Sequence, residues 1–140
     1  MSKAQNLLLI ACLALVAVLS TYTYLSQQNN TDRWYNQTQV IEGQALFADH
    51  CAACHGDNGQ GADNWTLPNA LGVRPAPPLN GSGHAWHHSL ADLTHTVMQG
   101  RGVMPAWKGT LSEAEIMATI AWTQSLWPKE IYTAWSQANP

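Results

Sequence analysis

The hydrophobic and polar positions change pattern twice along the chain. From Leu7 to Leu25 it reads LLLIACLALVAVLSTYTYL, nineteen residues without a charged side chain. Coiled as a helix rising ~1.5 Å per residue, this run reaches ~28 Å, close to the thickness of a bilayer's hydrocarbon core. Tyr22 and Tyr24 fall where an interfacial aromatic belt belongs, and Lys3 supplies a weak inside signal ahead of the run. A cleaved signal peptide has a shorter apolar stretch and a small-residue cleavage site. A lipoprotein reading of Leu9-Ile10-Ala11-Cys12 leaves only Leu7 to Ala11 before the cysteine. Because the run continues well past Cys12, the pattern favours an uncleaved transmembrane anchor over residues 1–25, with Cys12 as a small apolar side chain in lipid.

Residues 26–33 begin SQQNNTD, polar and aperiodic, and read as a flexible tether. Helical spacing then appears within a domain expected over 34–140. Ile41, Ala45, Leu46 and Ala48 fall at helical spacing between Thr38 and Cys51, with Phe47 one turn after Gly43. From Gly56 to Ser89 the chain is rich in Gly, Pro and Asn and has no period, a length of loop that a small domain keeps only for a function. Ser89 and Asp92 have the spacing of a capping box, Leu90, Leu93 and Val97 line one face, and Gly100 ends the helix. After the turn-rich GRGVMPAWKG, Ser112 and Glu115 form a second capping box, and Ile116, Ile120, Ala121 and Trp122 carry a helix to about Trp127. Pro128 ends it and starts a last helix, PKEIYTAWSQ. No strand pattern occurs, so the domain is predicted to be all-α with long loops.

Composition narrows the function. A chain of 140 residues with a formal charge of −3 has no basic footprint for nucleic acid. Three cysteines cannot all pair, and two of them stand three apart in DHCAACHGD. Cys51, Cys54 and His55 spell Cys-x-x-Cys-His, the haem c attachment motif. Two thiols one helical turn apart can each form a thioether with a vinyl group on one porphyrin edge, and the adjacent imidazole then reaches the iron. A redox dithiol belongs in a strand-helix context, and a structural zinc site needs a fourth ligand. The axial ligand opposite His55 is to be found among Met98, Met104, Met117 and the spare histidines. Met98 and Met117 fall in helices beside apolar faces, whereas Met104 lies in the turn VMPAW.

From Val40 to Trp127 the sequence resembles the class I c-type cytochromes. Gly43 and Phe47 match the family's glycine and aromatic pair on the first helix, and Trp122 sits where the aromatic of the crossing helix is expected. Pro77, Pro78, Leu79, Asn80 and Gly81 look like its proline-x-leucine-x-glycine loop. The resemblance implies a class I cytochrome c fold following a single transmembrane helix, with a core at about 40–127 and an extension at 128–140. It implies that the carbonyl of Pro77 accepts a hydrogen bond from the proximal histidine, and that Met104, in the family's methionine-proline loop, is the distal ligand. Iron would then be held by His55 and Met104, one haem c by thioethers to Cys51 and Cys54, with Leu79 in the cofactor-binding loop. Arg74, Arg101 and Trp107 are candidate partners for the haem propionates.

Other features carry less. His84, His87, His88 and His95 are dense enough for a second metal, yet no carboxylate or cysteine completes a set in sequence, so solvated or haem-edge histidines are the plainer reading. Tyr132 and Trp135 either cap the domain or, with Trp34, present aromatic surface to a partner. Sequons occur at Asn29, Asn36, Asn64 and Asn80. The expected function is a membrane-tethered monohaem carrier, not an enzyme. It would pass single electrons between respiratory or dehydrogenase partners on the outer, periplasmic face of a bacterial cytoplasmic membrane. The alternatives are a permanent haem c subunit of a larger membrane complex and, further off, a ligand-binding or peroxidatic haem protein or a histidine-rich metal handler.

Overall fold

A computed structural model describes residues 2–28 and 32–139, with side chains described outside 24–28. The belt position of Tyr24, the Asn29 sequon and the tether residues Asn30 and Thr31 lie outside what is described. The chain divides into two compact units, Met1–Gln37 and Thr38–Pro140.

The first unit is dominated by helix α1 (Lys3–Gln28). Its stretch Lys3–Thr23 is long and apolar enough to cross a membrane. The aliphatic hydroxyls of Ser20 and Thr21 are satisfied internally: Ser20 Oγ donates to the Val16 carbonyl and Thr21 Oγ1 to that of Ala17, both at 2.7 Å. Hydroxyls so bonded do not have to seek partners in lipid. The helix continues past Leu25, so the first residues of the expected tether are helical; Ser26, Gln27 and Gln28 contain no Pro or Gly to stop it. Further on, the Trp34 and Tyr35 rings meet edge to face at 5.1 Å, and the Arg33 guanidinium bonds the Tyr35 hydroxyl.

The second unit is built from α2 (Gln37–His50, beginning one residue before the division), α3 (Ala52–His55), a 3₁₀ turn (Ala85–His87), α4 (Leu90–Gln99), α5 (Glu113–Ser125) and α6 (Lys129–Ala138). No strand occurs among the described residues; two isolated bridges, Arg101 to Met104 and Lys108 to Leu111, pin the turn between α4 and α5. Both capping boxes form. The Ser89 hydroxyl accepts from the Asp92 N–H while Asp92 accepts from the Ser89 N–H, and Ser112 and Glu115 repeat the exchange. Each exchange satisfies two backbone donors that a helix start otherwise leaves orphaned.

Helix α5 is the axis of the core. Ile116 and every residue from Ala118 to Gln124 are buried, so it is enclosed on nearly all sides and shows little amphipathic contrast. Helix α2 crosses it at Gly43. A Cβ built there would collide with the carbonyl of Ala118, so the two backbones touch where only glycine fits. One turn on, Phe47, only 1% exposed, lays its ring 4.3 Å from that of Trp122. Helix α4 also packs on α5.

Helix α6 folds back after Pro128 against the 3₁₀ turn. Tyr132 and Trp135, one turn apart, are both buried, and the indole N–H of Trp135 donates to the His88 carbonyl at 2.8 Å. Of the two expectations for this segment the capping one holds; these rings are not surface for a partner, because their shared face is turned onto the domain. Between residues 56 and 84, in contrast, only Gly59 and Pro78 are buried. Within that loop a small turn closes on itself: Asn69 Oδ1 accepts from the N–H groups of Leu71 and Val73, and the Asn69 N–H donates to the Val73 carbonyl.

Candidate functional site

Helix α3 is a single turn, and it places the motif. Cys51 stands at its N-cap, and its carbonyl accepts from the N–H groups of Cys54 at 3.1 Å and His55 at 2.9 Å. Both thiols are free; Cys51 is half-buried and Cys54 exposed. Burial, then the neighbouring Cys54, pushes the Cys51 thiol up to about 11, so it is protonated at neutral pH.

His55 is buried, and its Nδ1 lies 2.9 Å from the carbonyl oxygen of Pro77. A carbonyl only accepts, so Nδ1 carries the proton and the free lone pair belongs to Nε2. Burial lowers the pKa of the ring, with the bond to Pro77 acting in the opposite sense, so the imidazole is neutral and its Nε2 is a ready metal donor. The Phe47 ring stands 6.5 Å from it.

The carbonyl that His55 meets is held by glycines and by a tryptophan. After α3 the chain turns through Gly56 and Gly59 to Gly61, whose N–H donates to the His55 carbonyl at 2.7 Å. Gly61 has φ +70°, and an added Cβ would strike the Pro77–Pro78 peptide, so this turn lies flush on the proline segment. The Leu79 N–H donates to the Gly59 carbonyl at 2.7 Å, and the Leu79 carbonyl accepts from the indole N–H of Trp127, also at 2.7 Å. Sequence reasoning missed Gly59, Gly61 and Trp127. The paired glycines soon after the motif were a usable signal; nothing local marked Trp127 as more than a helix end.

The remaining expected site residues occupy other segments. Met104 is half-buried in the turn after α4, its N–H bonded to the Arg101 carbonyl and its carbonyl to the Arg101 N–H. Trp107, on the same segment, faces the ring of His50, the residue before Cys51, at 5.1 Å. Arg101 and Arg74 are exposed, and the Arg74 guanidinium donates to the Thr66 carbonyl. The structure thus joins His55 to Pro77 directly and to Leu79 through the Gly59 turn, and groups Arg101, Met104 and Trp107 on one turn.

The histidine-rich stretch packs on aromatic rings. His84 stacks on Trp65 at 5.4 Å and meets His88 edge-on at 5.5 Å, while His87 stacks on Trp86 at 3.7 Å. Burial, followed by the nearby His88, His87 and Arg101, lowers the pKa of His84. Among the described residues no group of three or more His, Cys, Asp or Glu side chains is placed to hold a metal ion.

The donor set suits haem c: two free thiols a turn apart and a neutral, carbonyl-oriented imidazole directly after them. Crossing helices, no sheet among the described residues, and a long loop with almost no core of its own complete the picture. Fold and site together define a class I c-type cytochrome. Comparison with known proteins carries this further. The chain belongs to the family described as cytochrome C oxidase, cbb3-type, subunit III, whose model matches residues 38–122. It is 37% identical over 89 residues to the cbb3-type cytochrome c oxidase subunit CcoP of Azospirillum sp. (strain B510), covering 63% of this chain and 29% of that protein. It is 36% identical to subunit FixP of Bradyrhizobium diazoefficiens over 62% of this chain and 27% of that protein. The match thus spans under a third of these relatives. Cytochrome c6 of Tetradesmus obliquus is 35% identical over 57% of this chain and 82% of its own length. Among solved structures, cytochrome CL of Methylophaga aminisulfidivorans shares the fold, with a TM-score of 0.54 at 23% identity over 81% of this chain and 70% of that one.

Proposed function

We propose that this chain is a haem c subunit of a membrane respiratory complex that relays single electrons and performs no substrate chemistry of its own. The observation that carries the reading is the bond from His55 Nδ1 to the Pro77 carbonyl, in a buried histidine that directly follows two free thiols. The resemblance to CcoP and FixP favours this subunit role over the freely shuttling carrier expected from the sequence.

Bound haem c supplies a one-electron ferric/ferrous couple. The chain's residues do the rest. Cys51 and Cys54 would hold one porphyrin edge by two thioethers. His55 would present Nε2 to the iron, with Pro77 fixing its tautomer and ring orientation. The Met104 thioether would be the second iron ligand, which would favour the ferrous state, raise the potential and leave no position for oxygen or peroxide. Arg74, Arg101 and Trp107 would donate to the propionates, and Leu79 would line the haem. Helix α1 anchors the chain in the cytoplasmic membrane, with the second unit on the periplasmic side, and keeps the haem at high effective concentration near its partners.

The test is expression with haem-attachment machinery and purification from membranes in mild detergent. One covalent haem per chain, co-purifying oxidase subunits, and a near-infrared sulfur-to-iron band lost in Met104→Ala are expected. A band that survives in Met104→Ala, or ready carbon monoxide binding by the reduced wild type, refutes the closed six-coordinate centre. A chain that purifies alone restores the shuttle.

A further inference from the structure

We propose that Trp127 is a positioning residue for His55: its indole N–H holds the loop whose carbonyl aims the imidazole. The inference rests on the reading of His55 as the proximal ligand.

Pro77 and Pro78 have no N–H, so the segment that supplies the acceptor for His55 cannot tie itself down by its own donors there. The first donor after them, the Leu79 N–H, bonds the Gly59 carbonyl at 2.7 Å. Gly59 belongs to the turn that leaves His55 and returns through Gly61 to the His55 carbonyl. This bond therefore fastens the loop only to the histidine's own turn. The bond that registers the loop to the helical frame is the one from Trp127 Nε1 to the Leu79 carbonyl, also 2.7 Å. Trp127 is itself firmly placed, 3% exposed and set between the end of α5 and the start of α6. Its ring meets Trp135 edge-on at 5.9 Å, and Gly81, two residues after Leu79, is so close to Pro128 that a Cβ would come within 2.9 Å of the proline ring. With the Trp127 bond in place, the Pro77 carbonyl has a fixed position relative to α5. Without it, the loop rests on the Gly59 turn alone and can move against His55, whose own helix is held to α2 by the bond from the Cys51 N–H to the Phe47 carbonyl at 2.8 Å.

The consequence for His55 is electronic as well as geometric. A firm Nδ1–H to carbonyl bond makes the ring a stronger donor and stabilises ferric iron. Loosening it shifts the potential upward.

The experiment compares wild-type holoprotein with Trp127→Phe, which keeps a ring and deletes the N–H, and with Trp135→Phe, which deletes the other buried indole bond of the same aromatic cluster. Three quantities are read: the melting temperature, the midpoint potential, and the exchange rate of the His55 Nδ1 proton in ¹⁵N-histidine spectra of the reduced protein. One hydrogen bond of typical net strength predicts about fivefold faster exchange in Trp127→Phe, with a raised potential. Trp135→Phe should lower the melting temperature comparably and leave both His55 readouts unchanged. The proposal is overturned if Trp127→Phe lowers the melting temperature alone, or if Trp135→Phe moves the His55 readouts equally. If wild type itself gives no signal of an iron-bound His55 ring, the ligand assignment has failed, and that result is distinct from any difference between the variants.

Discussion

The contact between α2 and α5 offers the sharpest perturbation, Gly43→Ala. In a solvent-exposed helix this change should stabilise by about 1 kcal/mol through helix propensity. Here the new methyl would lie within collision distance of the Ala118 carbonyl oxygen and carbon, and 3.0 Å from the Thr119 nitrogen. All three are backbone atoms of a buried helix, so no side chain can swing aside; the helices must separate. Overpacking of this kind costs up to about 3 kcal/mol. Separation also weakens the Phe47–Trp122 contact at 4.3 Å, an aromatic pair worth about 1 kcal/mol beyond its buried area. Set against the gain in propensity, the net loss is about 3 kcal/mol, which in a domain of this size lowers the melting temperature by about 15 °C. The assay is far-ultraviolet circular dichroism of the holoprotein on heating, with exposed Gln44→Ala on the same helix as reference. A Gly43→Ala protein melting with wild type would refute the close crossing and, with it, the glycine's role in the core.

Three further outcomes are expected. Ser112→Ala removes a capping box and lowers the melting temperature by a few degrees at neutral pH. Its bonds to Ser112 hold the Glu115 carboxyl below the ordinary glutamate value, so this contribution is complete above the unfolded value of about 4.5 and lost as pH falls through the folded one. Ser112→Ala keeps the bond from the backbone N–H to that carboxylate and loses only the one from the hydroxyl. The gap between Ser112→Ala and wild type should therefore narrow in part below about pH 4.5, and a constant gap across a melting series from pH 7 to 3 would refute the bond from the hydroxyl to the carboxylate. In the double variant Cys51→Ala, Cys54→Ala, haem should extract into acidified organic solvent, whereas wild type keeps its haem on the denatured chain; equal extraction would show that the thiols are not attachment points.

Much of this was legible in the chain because the signals were local. Capping boxes at Ser89 and Ser112 declare their helix starts within four residues. The Cys-x-x-Cys-His motif declares its chemistry within five, and the resemblance pointed to the Pro77 loop that His55 meets. What stayed hidden depends on partners distant in sequence. Tyr132 and Trp135 gave equal grounds for a cap or an exposed patch, and the decision is made by the His88 carbonyl, 47 residues from Trp135. Trp127 looked like the last residue of a helix until the Leu79 carbonyl, 48 residues away, was seen to lie beneath it. The stacking of His84 on Trp65 had no periodicity to announce it. Where a side chain must satisfy a backbone group far along the chain, only the fold reveals which one.

The small turn at Asn69–Val73 bears on what this protein could be made to carry. Leu71 at its tip is 87% exposed, and a Cβ on Gly72 would meet nothing within 4 Å. Its hydrogen bonds are internal, so a foreign segment spliced between Leu71 and Gly72 would disturb a few bonds of the turn and none of those that orient His55. Exposed tips of this sort are where proteins best accept inserted sequence. A surface-reactive tag or a whole second protein could enter there, giving a handle for wiring the redox centre to an electrode.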